Sequence, residues 1–350
     1  TTQGTLSQRD INGIETSTAF TITDASQVLT IGIHWRNYEL RGYNHDGTLA
    51  FGAADNQNGK VALQSFYVHT ENDVTVYALS KAVKTSDAMM VLPVDVLGTE
   101  YYAMAYPTDG NTAVDPFGIT VLTGQTTPSQ LAIVATENNT QITITPSTAV
   151  LNGKTAPFTV SLQQGESYLL QADVSRTNLN ADITGTRIVS DKPVAVFSGH
   201  QRSLLPVSSP TLSSRDFLIE QMPPVQTWGK QYILTPFVIP ETIDPGAQDI
   251  FRVMAAYDNT VISINNVAVA TLGAGRWYEA PLTAAATLSA TNEVLVAQYK
   301  RSSQSGQSDR LSDPFMIIVP PRRQFLNSYT IINSQVRENK TAVYLRQYIT

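Results

Sequence analysis

Along most of the chain, apolar and polar residues alternate with a period of two. Thr140-Gln141-Ile142-Thr143-Ile144-Thr145 is a clear case. That period turns one row of side chains inward and the other toward water, as in a half-buried β-strand. Asn138-Asn139-Thr140 and Asp258-Asn259-Thr260 read as the turns of matching hairpins, because Asn and Asp tolerate tight backbone turns. No long helical periodicity is present, and helix is expected only as short turns around Gln226-Thr227-Trp228. The pattern predicts an all-β protein.

The strand pattern also recurs at long range. Phe66–Ala78, Arg187–Ser198 and Thr287–Gln298 each read as a strand, a polar turn and a second strand. The second strand opens on Val74/Val76, Val194/Val196 and Val294/Val296 respectively. A second block follows each: MMVLPVDVLGTEYY (89–102), LIEQMPPVQTWGKQYI (218–233) and MIIVPPRRQFLNSYT (316–330). In all three a proline precedes a tyrosine by eight residues: Pro93/Tyr101, Pro224/Tyr232 and Pro321/Tyr329. A third block, LAIVATENNT from Leu131, returns as FRVMAAYDNT from Phe251. The unit is therefore expected to be a β-sandwich-like module of about 100 residues. The expected boundaries are 1–100 (divergent in its N-terminal part), 101–231 and 232–328, with 329–350 opening a further strand or unit. A propeller-like arrangement of the same strands is the alternative.

Composition narrows the function. Charged residues are only 15% of the chain, below the roughly 25% usual for soluble domains, so Thr, Ser, Asn and Gln carry the polar surface. A net charge of −6 and no basic cluster beyond Pro321-Arg322-Arg323 argue against nucleic acid. No apolar run approaches the ~20 residues of a membrane helix. The chain opens on Thr1 with no export signal in view, as expected of a mature or trimmed form. The absence of cysteine removes disulfides, thiolate metal sites and cysteine nucleophiles together. A secreted animal domain of this size often carries bridges, so a bacterial extracellular protein is favoured over a cytosolic one.

LPVDVLGTEYYAMAYP (92–107), LAIVATENNTQITITP (131–146), TGTRIVSDKPVAVFSGH (184–200) and EQMPPVQTWGKQYILTP (220–236) resemble the IgGFc-binding protein N-terminal domain family, over about residues 60–300. The resemblance implies an extracellular binding or adhesion context and no catalytic reaction. It does not carry antibody binding with it, since likeness of fold does not transfer a site. One departure is the loop after the SGH strand end, Gln201–Arg215, which lacks the cysteines of the family. Packing or ions are expected to hold it instead.

Candidate chemistry is sparse. The four histidines are His34, His45, His69 and His200. There is no G-x-S-x-G elbow and no H-E-x-x-H pair. His69 reads as an exposed turn residue. His200, with Asp216 and Glu220 downstream, is the better candidate, yet its repeat counterparts are Ser80 and Lys300, which favours a polar strand end. The repeated tyrosines read as core or corner residues. Trp35 has no repeat counterpart. The turns Asn44–Gly47, Asp55–Gly59 and Ser308–Asp313 leave a structural calcium ion open, though none has EF-hand spacing. Asn138 and Asn339 lie in N-x-[ST] sequons.

The expected protein is a non-catalytic extracellular binding or adhesion module of a bacterial surface or secreted protein, without catalytic residues, metal site or cofactor. Its partners are expected to be a host or matrix protein or a glycan, and other copies of itself. Contact is expected through the variable loops 36–60, 108–130, 201–215 and 302–313, with Trp35, His200, Arg202 and Arg215 as the contacting residues. The alternative is a structural subunit of a filament or matrix. It would assemble by edge-strand pairing, with the strand 342–349 as the pairing element.

Overall fold

The computed structural model describes residues 1–25, 27–34, 37–40, 42, 56–82, 85–108, 112–122, 127–175, 178–207, 212, 214–237, 248–303 and 313–328. Trp35, His45 and the strand expected over 342–349 lie outside these residues. So do Tyr329, Asn339 and large parts of the variable loops 36–60 and 302–313, whereas most of 108–130 and 201–215 is described.

The described chain is all-β. Its first part holds β1 (Thr2–Arg9), β2 (Glu15–Ile22), β3 (Val61–Ala62), β4 (Ser65–Thr70), β5 (Val76–Ala82) and β6 (Thr85–Val91). Strands β2-β1-β4 form one antiparallel sheet and β5-β6 a two-stranded hairpin. His69 belongs to β4, opposite Thr5 and stacked on Tyr67, not to a turn. The polar turn of the first repeat is residues 71–75, just beyond it.

Two larger assemblies follow, here called A and B. A contains β7 (Gly98–Tyr102), β8 (Thr112–Val114), β9 (Thr120–Leu122), β10 (Ser129–Ala135), β11 (Thr140–Thr145), β12 (Phe158–Leu162), β13 (Ser167–Gln171), β14 (Arg187–Ser203) and β15 (Asp216–Gln221). B contains β16 (Gly229–Leu234), β17 (Asp249–Ala255), β18 (Thr260–Ile264), β19 (Val267–Leu272), β20 (Trp277–Leu282), β21 (Ala286–Tyr299) and β22 (Met316–Ile318). The order β12-β11-β14-β10-β13 in A matches β19-β18-β21-β17-β20 in B. Strands β7 and β15 flank β14 as β16 and β22 flank β21. Strand β3 extends the edge of A at β13, while β8 and β9 pair only with each other.

Each assembly turns on one long strand, and here the structure differs from the expected hairpins. Arg187–Ser203 is continuous. Residues 187–190 pair with β11 and β7, residues 194–200 pair with β10, and 197–203 pair with β15, with a register break between Val189 and Val194. Asp191-Lys192 is thus a bend, not a turn. At the bend the Asp191 carboxylate accepts the Gln141 N–H at 2.8 Å and the Lys192 ammonium donates to the Asn138 carbonyl. Strands β10 and β11 follow the same edge of β14 through the bend, so Asn138-Asn139 is a corner, with Asn139 at φ 57°. In B, β21 bends likewise, Asn259 takes φ 57° and the Thr291 hydroxyl accepts the Val261 N–H. A strand that changes sheets this way closes a sandwich corner.

The second repeated block is the crossing between assemblies. Strand β15 completes A, a 3-10 turn at Val225–Thr227 reverses the chain, and β16 enters B. The tyrosines of this block lock it. Tyr101 Oη donates to the Val194 carbonyl at 2.7 Å and accepts the Gly98 N–H at 2.8 Å. Tyr232 Oη makes the same two bonds, to the Val294 carbonyl and from the Gly229 N–H. Both rings are buried.

Val194 and Val196 point into the core of A. In B every residue of β17 is buried because both faces are covered. Phe251 and Val253 face the core of B, and Ile250 and Met254 face A. Strand β21 splits likewise, with Val294 and Val296 on one side and Leu295, Ala297 and Tyr299 on the other. One hydrophobic cluster therefore runs from A into B, which fixes the two assemblies together.

Candidate functional site

Between A and B, where their sheet ends meet, lies a cleft of about 820 Å³. The end of β11 and the segment before β14 contribute Ser147, Asn180 and Asp182 from A. The two corners of B contribute Tyr257, Asp258, Arg276 and Trp277. At its floor Gly185 (φ +87°) and Gly275 (φ +70°) touch. A Cβ on Gly185 would stand 2.4 Å from the Gly275 carbonyl oxygen, so only glycine allows this approach.

Arg252 of β17 lies behind the cleft and is 1% exposed. Its Nη1 donates to the Ala105 carbonyl (2.9 Å), Asp182 Oδ2 (2.8 Å) and Thr184 Oγ1 (2.9 Å), and its Nε donates to Glu279 Oε2 at 2.7 Å. The guanidinium lies 4.0 Å from the Trp277 ring centre and 4.5 Å from that of Tyr106. Tyr299 Oη donates to the same Ala105 carbonyl at 2.7 Å. Burial works against the charge on Arg252, but Asp182, Tyr299 and Glu279 outweigh it and the net shift is upward. A permanently charged, planar fork suits this role where a lysine would not. The cation lies over the Trp277 indole in a cation–π contact that favours this placement of the ring.

The rest of the lining is polar and ordered. Arg187 Nε (2.8 Å) and Nη2 (2.7 Å) both reach Glu100 Oε1. Asp258 Oδ1 accepts the Ala274 N–H at 2.9 Å. Tyr257 is 51% exposed. Among the described residues the Arg276 guanidinium makes no ion pair.

Of the residues expected to touch a ligand, Trp35 lies outside the described residues, and His200, Arg202 and Arg215 are not among those lining the cleft. His200 is 0% exposed, between β10 and β15. Its Nδ1 accepts the Arg202 N–H at 3.0 Å, whereas its Nε2 and the hydroxyls of Ser198 and Ser203 have no hydrogen-bond partner among the described residues. Burial holds its pKa down at about 3. A ligand does not reach the imidazole while β15 is in place. Arg202 and Arg215 are half-buried. Asp216 and Glu220 lie on β15, which pairs with the strand carrying His200, and Asp216 serves the docking of β6: it accepts the Ser86 N–H at 2.8 Å, and Asp87 of β6 accepts that of Ile219 at 2.9 Å.

The cleft residues had one visible signal in the sequence. FRVMAA places Arg252 where the parallel block LAIVAT has Ala132, a charge in an otherwise apolar strand. Among the described residues no group of three or more His, Cys, Asp or Glu side chains is gathered to hold a metal ion. In the turn expected as a calcium candidate, Asn56 and Asn58 spend their side-chain oxygens on the N–H groups of Asn58 and Gln171. No helix of the described residues is long and apolar enough to cross a membrane.

Comparison with known proteins gives a relative, the human protein named IgGFc-binding protein. It is 22% identical over 280 residues, covering 78% of this chain and 5% of the relative. The chain thus spans a small fraction of the length of that protein. No solved structure matches significantly. The family described as IgGFc binding protein matches residues 87–349, well over half the chain, and takes in both A and B with the cleft between them, so the chain belongs to the IgGFc-binding protein family.

Proposed function

We propose that the chain is a non-catalytic extracellular binding or adhesion module of a bacterial surface or secreted protein, and that it holds its ligand in the cleft between A and B. The observation that carries this reading is the cleft itself. It is a concave site of about 820 Å³ with an exposed tyrosine and an arginine that makes no ion pair among the described residues, both at strand corners, beside a tryptophan on β20. Loops held by a strand frame commonly carry binding. A and B are read as tandem copies of one module, with β5-β6 as the remnant of a preceding copy. The human relative's name points to a protein partner, and a chain without cysteine suits bacterial export. The histidine that the sequence offered as a general base, His200, is sealed from solvent, which supports the non-catalytic reading.

A second reading, assembly into a filament or matrix, is favoured by one observation. Strand β5 is an edge of its hairpin, and Tyr77 (58%), Leu79 (65%) and Met90 (48%) are exposed together there.

Biolayer interferometry of the full chain against immunoglobulin G Fc, mucin and fibronectin tests the first reading. Saturable binding to at least one is expected, weakened about tenfold or more by Tyr257→Ala with Arg276→Glu. Binding indifferent to both substitutions overturns the cleft as the site. Concentration-dependent self-association abolished by Leu79→Lys, without any such binding, favours the second reading.

A further inference from the structure

We infer that the cleft is a saccharide site, taking a short neutral oligosaccharide with one pyranose ring stacked on Trp277. The inference rests on the reading of the cleft as the binding site and adds the chemistry of the ligand.

The first support is the pinned ring. With Arg252 4.0 Å from the indole centre and held by Asp182, Glu279 and the Ala105 carbonyl, Trp277 has little rotamer freedom to lose on binding. A flat, preorganised aromatic matches the apolar C–H face of a pyranose, and Tyr257 provides a second aromatic beside it.

The second support is charge. The lining contains three carboxylates (Glu100, Asp182, Asp258) against two guanidiniums (Arg187, Arg276). Glu100 is paired with Arg187 and Asp182 with Arg252. What remains is one acid and one base on the B wall, Asp258 and Arg276. A phosphate or a cationic peptide calls for an excess of one sign, and none is present. Vicinal hydroxyls, each a donor and an acceptor, suit an acid and a base side by side, together with the Ser147 and Thr148 hydroxyls opposite.

The third support is the contrast with A. By cross-strand register and block alignment, Arg252, Tyr257 and Trp277 of B stand where A has Ala132, Glu137 and Ser167. The scaffold folds with either set, so architecture alone does not require the arginine and its two aromatic neighbours. A cleft of about 820 Å³ falls within the ~300–1,000 Å³ of small-ligand sites, which suits a few sugar rings.

The test is an array of neutral, sialylated and sulfated oligosaccharides probed with the full chain. Tryptophan-fluorescence titration with the strongest neutral oligosaccharide follows. Binding of neutral oligosaccharides is expected. Trp277→Leu is expected to weaken it by about tenfold or more, and Asp258→Asn and Arg276→Ala by about threefold each. The last two positions are exposed, so their thermal melting stays that of the parent and the result does not depend on whether Trp277→Leu folds well. Binding of acidic oligosaccharides only overturns the inference, as does a neutral ligand held equally by all three variants. An empty array, with a protein partner that still binds through Tyr257 and Arg276 after enzymatic removal of its glycans, also overturns it and leaves the cleft as the site. If nothing bound is sensitive to the cleft residues, both readings fall.

Discussion

Assemblies A and B are built on one strand order, and they differ most at the corner where β17 meets β20 in B and β10 meets β13 in A. In A that corner holds Ala132 and Ser167, and the chain covers it itself: Arg9 donates to the Gln164 carbonyl at 2.9 Å, and β3 pairs with β13. In B the corner holds Arg252 and Trp277 and faces A across an open cleft. A second difference lies on the neighbouring register, where the cross-strand pair is Ser129 and His200 in A but Asp249 and Lys300 in B. The hydrogen-bonded frame is thus conserved between the assemblies, while buried polar chemistry is assigned position by position. The site arises where the frame is left uncovered.

The comparison breaks most sharply at Arg252. Arg252→Ala leaves Asp182 and Glu279 without their cation and is expected to cost about 3–5 kcal/mol in urea unfolding. Adding Asp182→Asn and Glu279→Gln to Arg252→Met should recover part of that loss, since the uncompensated charge goes with them. Arginine placed at Ala132 in A stands opposite Leu169, where Arg252 stands opposite Glu279, and is expected only to destabilise.

The next largest effect tests what the assemblies share. Tyr101→Phe and Tyr232→Phe each strand a buried N–H and a buried carbonyl, so each is expected to cost about 1–3 kcal/mol. The two costs should be similar, and a loss confined to one tyrosine would show that the corners are not equivalent.

The smallest effect is a pH dependence of opposite sign in two places. The pKa of His200 is held near 3 by burial, below its unfolded value, so its contribution is present above about pH 6.5 and is lost as pH falls. The pKa values of Asp87 and Glu220 are raised, to about 7 and about 8, first by burial. Their protonated forms favour the folded state, so docking of β6 on β15 is strongest below about pH 4 and weakens as pH rises through 7 and 8. Amide exchange over residues 85–91 should accelerate across that upper window beyond its intrinsic base catalysis, and Asp87→Asn should flatten the excess. Denaturation of His200→Gln should lose the acid-side slope.

Much of the frame was legible in the sequence because it depends on local pattern. The period-two runs marked the strands, Val194/Val196 and Val294/Val296 marked equivalent core positions, and the proline–tyrosine spacing marked corner tyrosines. The bends at Asp191-Lys192 and Asn138-Asn139 were not legible, because a bulged corner and a hairpin turn both want polar residues with open backbone choices. Only pairing partners far along the chain separate the two. Trp277 lay in view without a role, since its significance depends on Arg252, and the burial of Arg252 depends on how B packs against A.

The most direct test is hydrogen–deuterium exchange on the full chain, free and saturated with the strongest binder from the oligosaccharide array or the glycoprotein panel. The account predicts protection at 145–148, 180–187, 256–258 and 274–277, on both walls of the cleft. Protection confined to 201–215 or to the segment around Trp35, with the cleft unchanged, would contradict it.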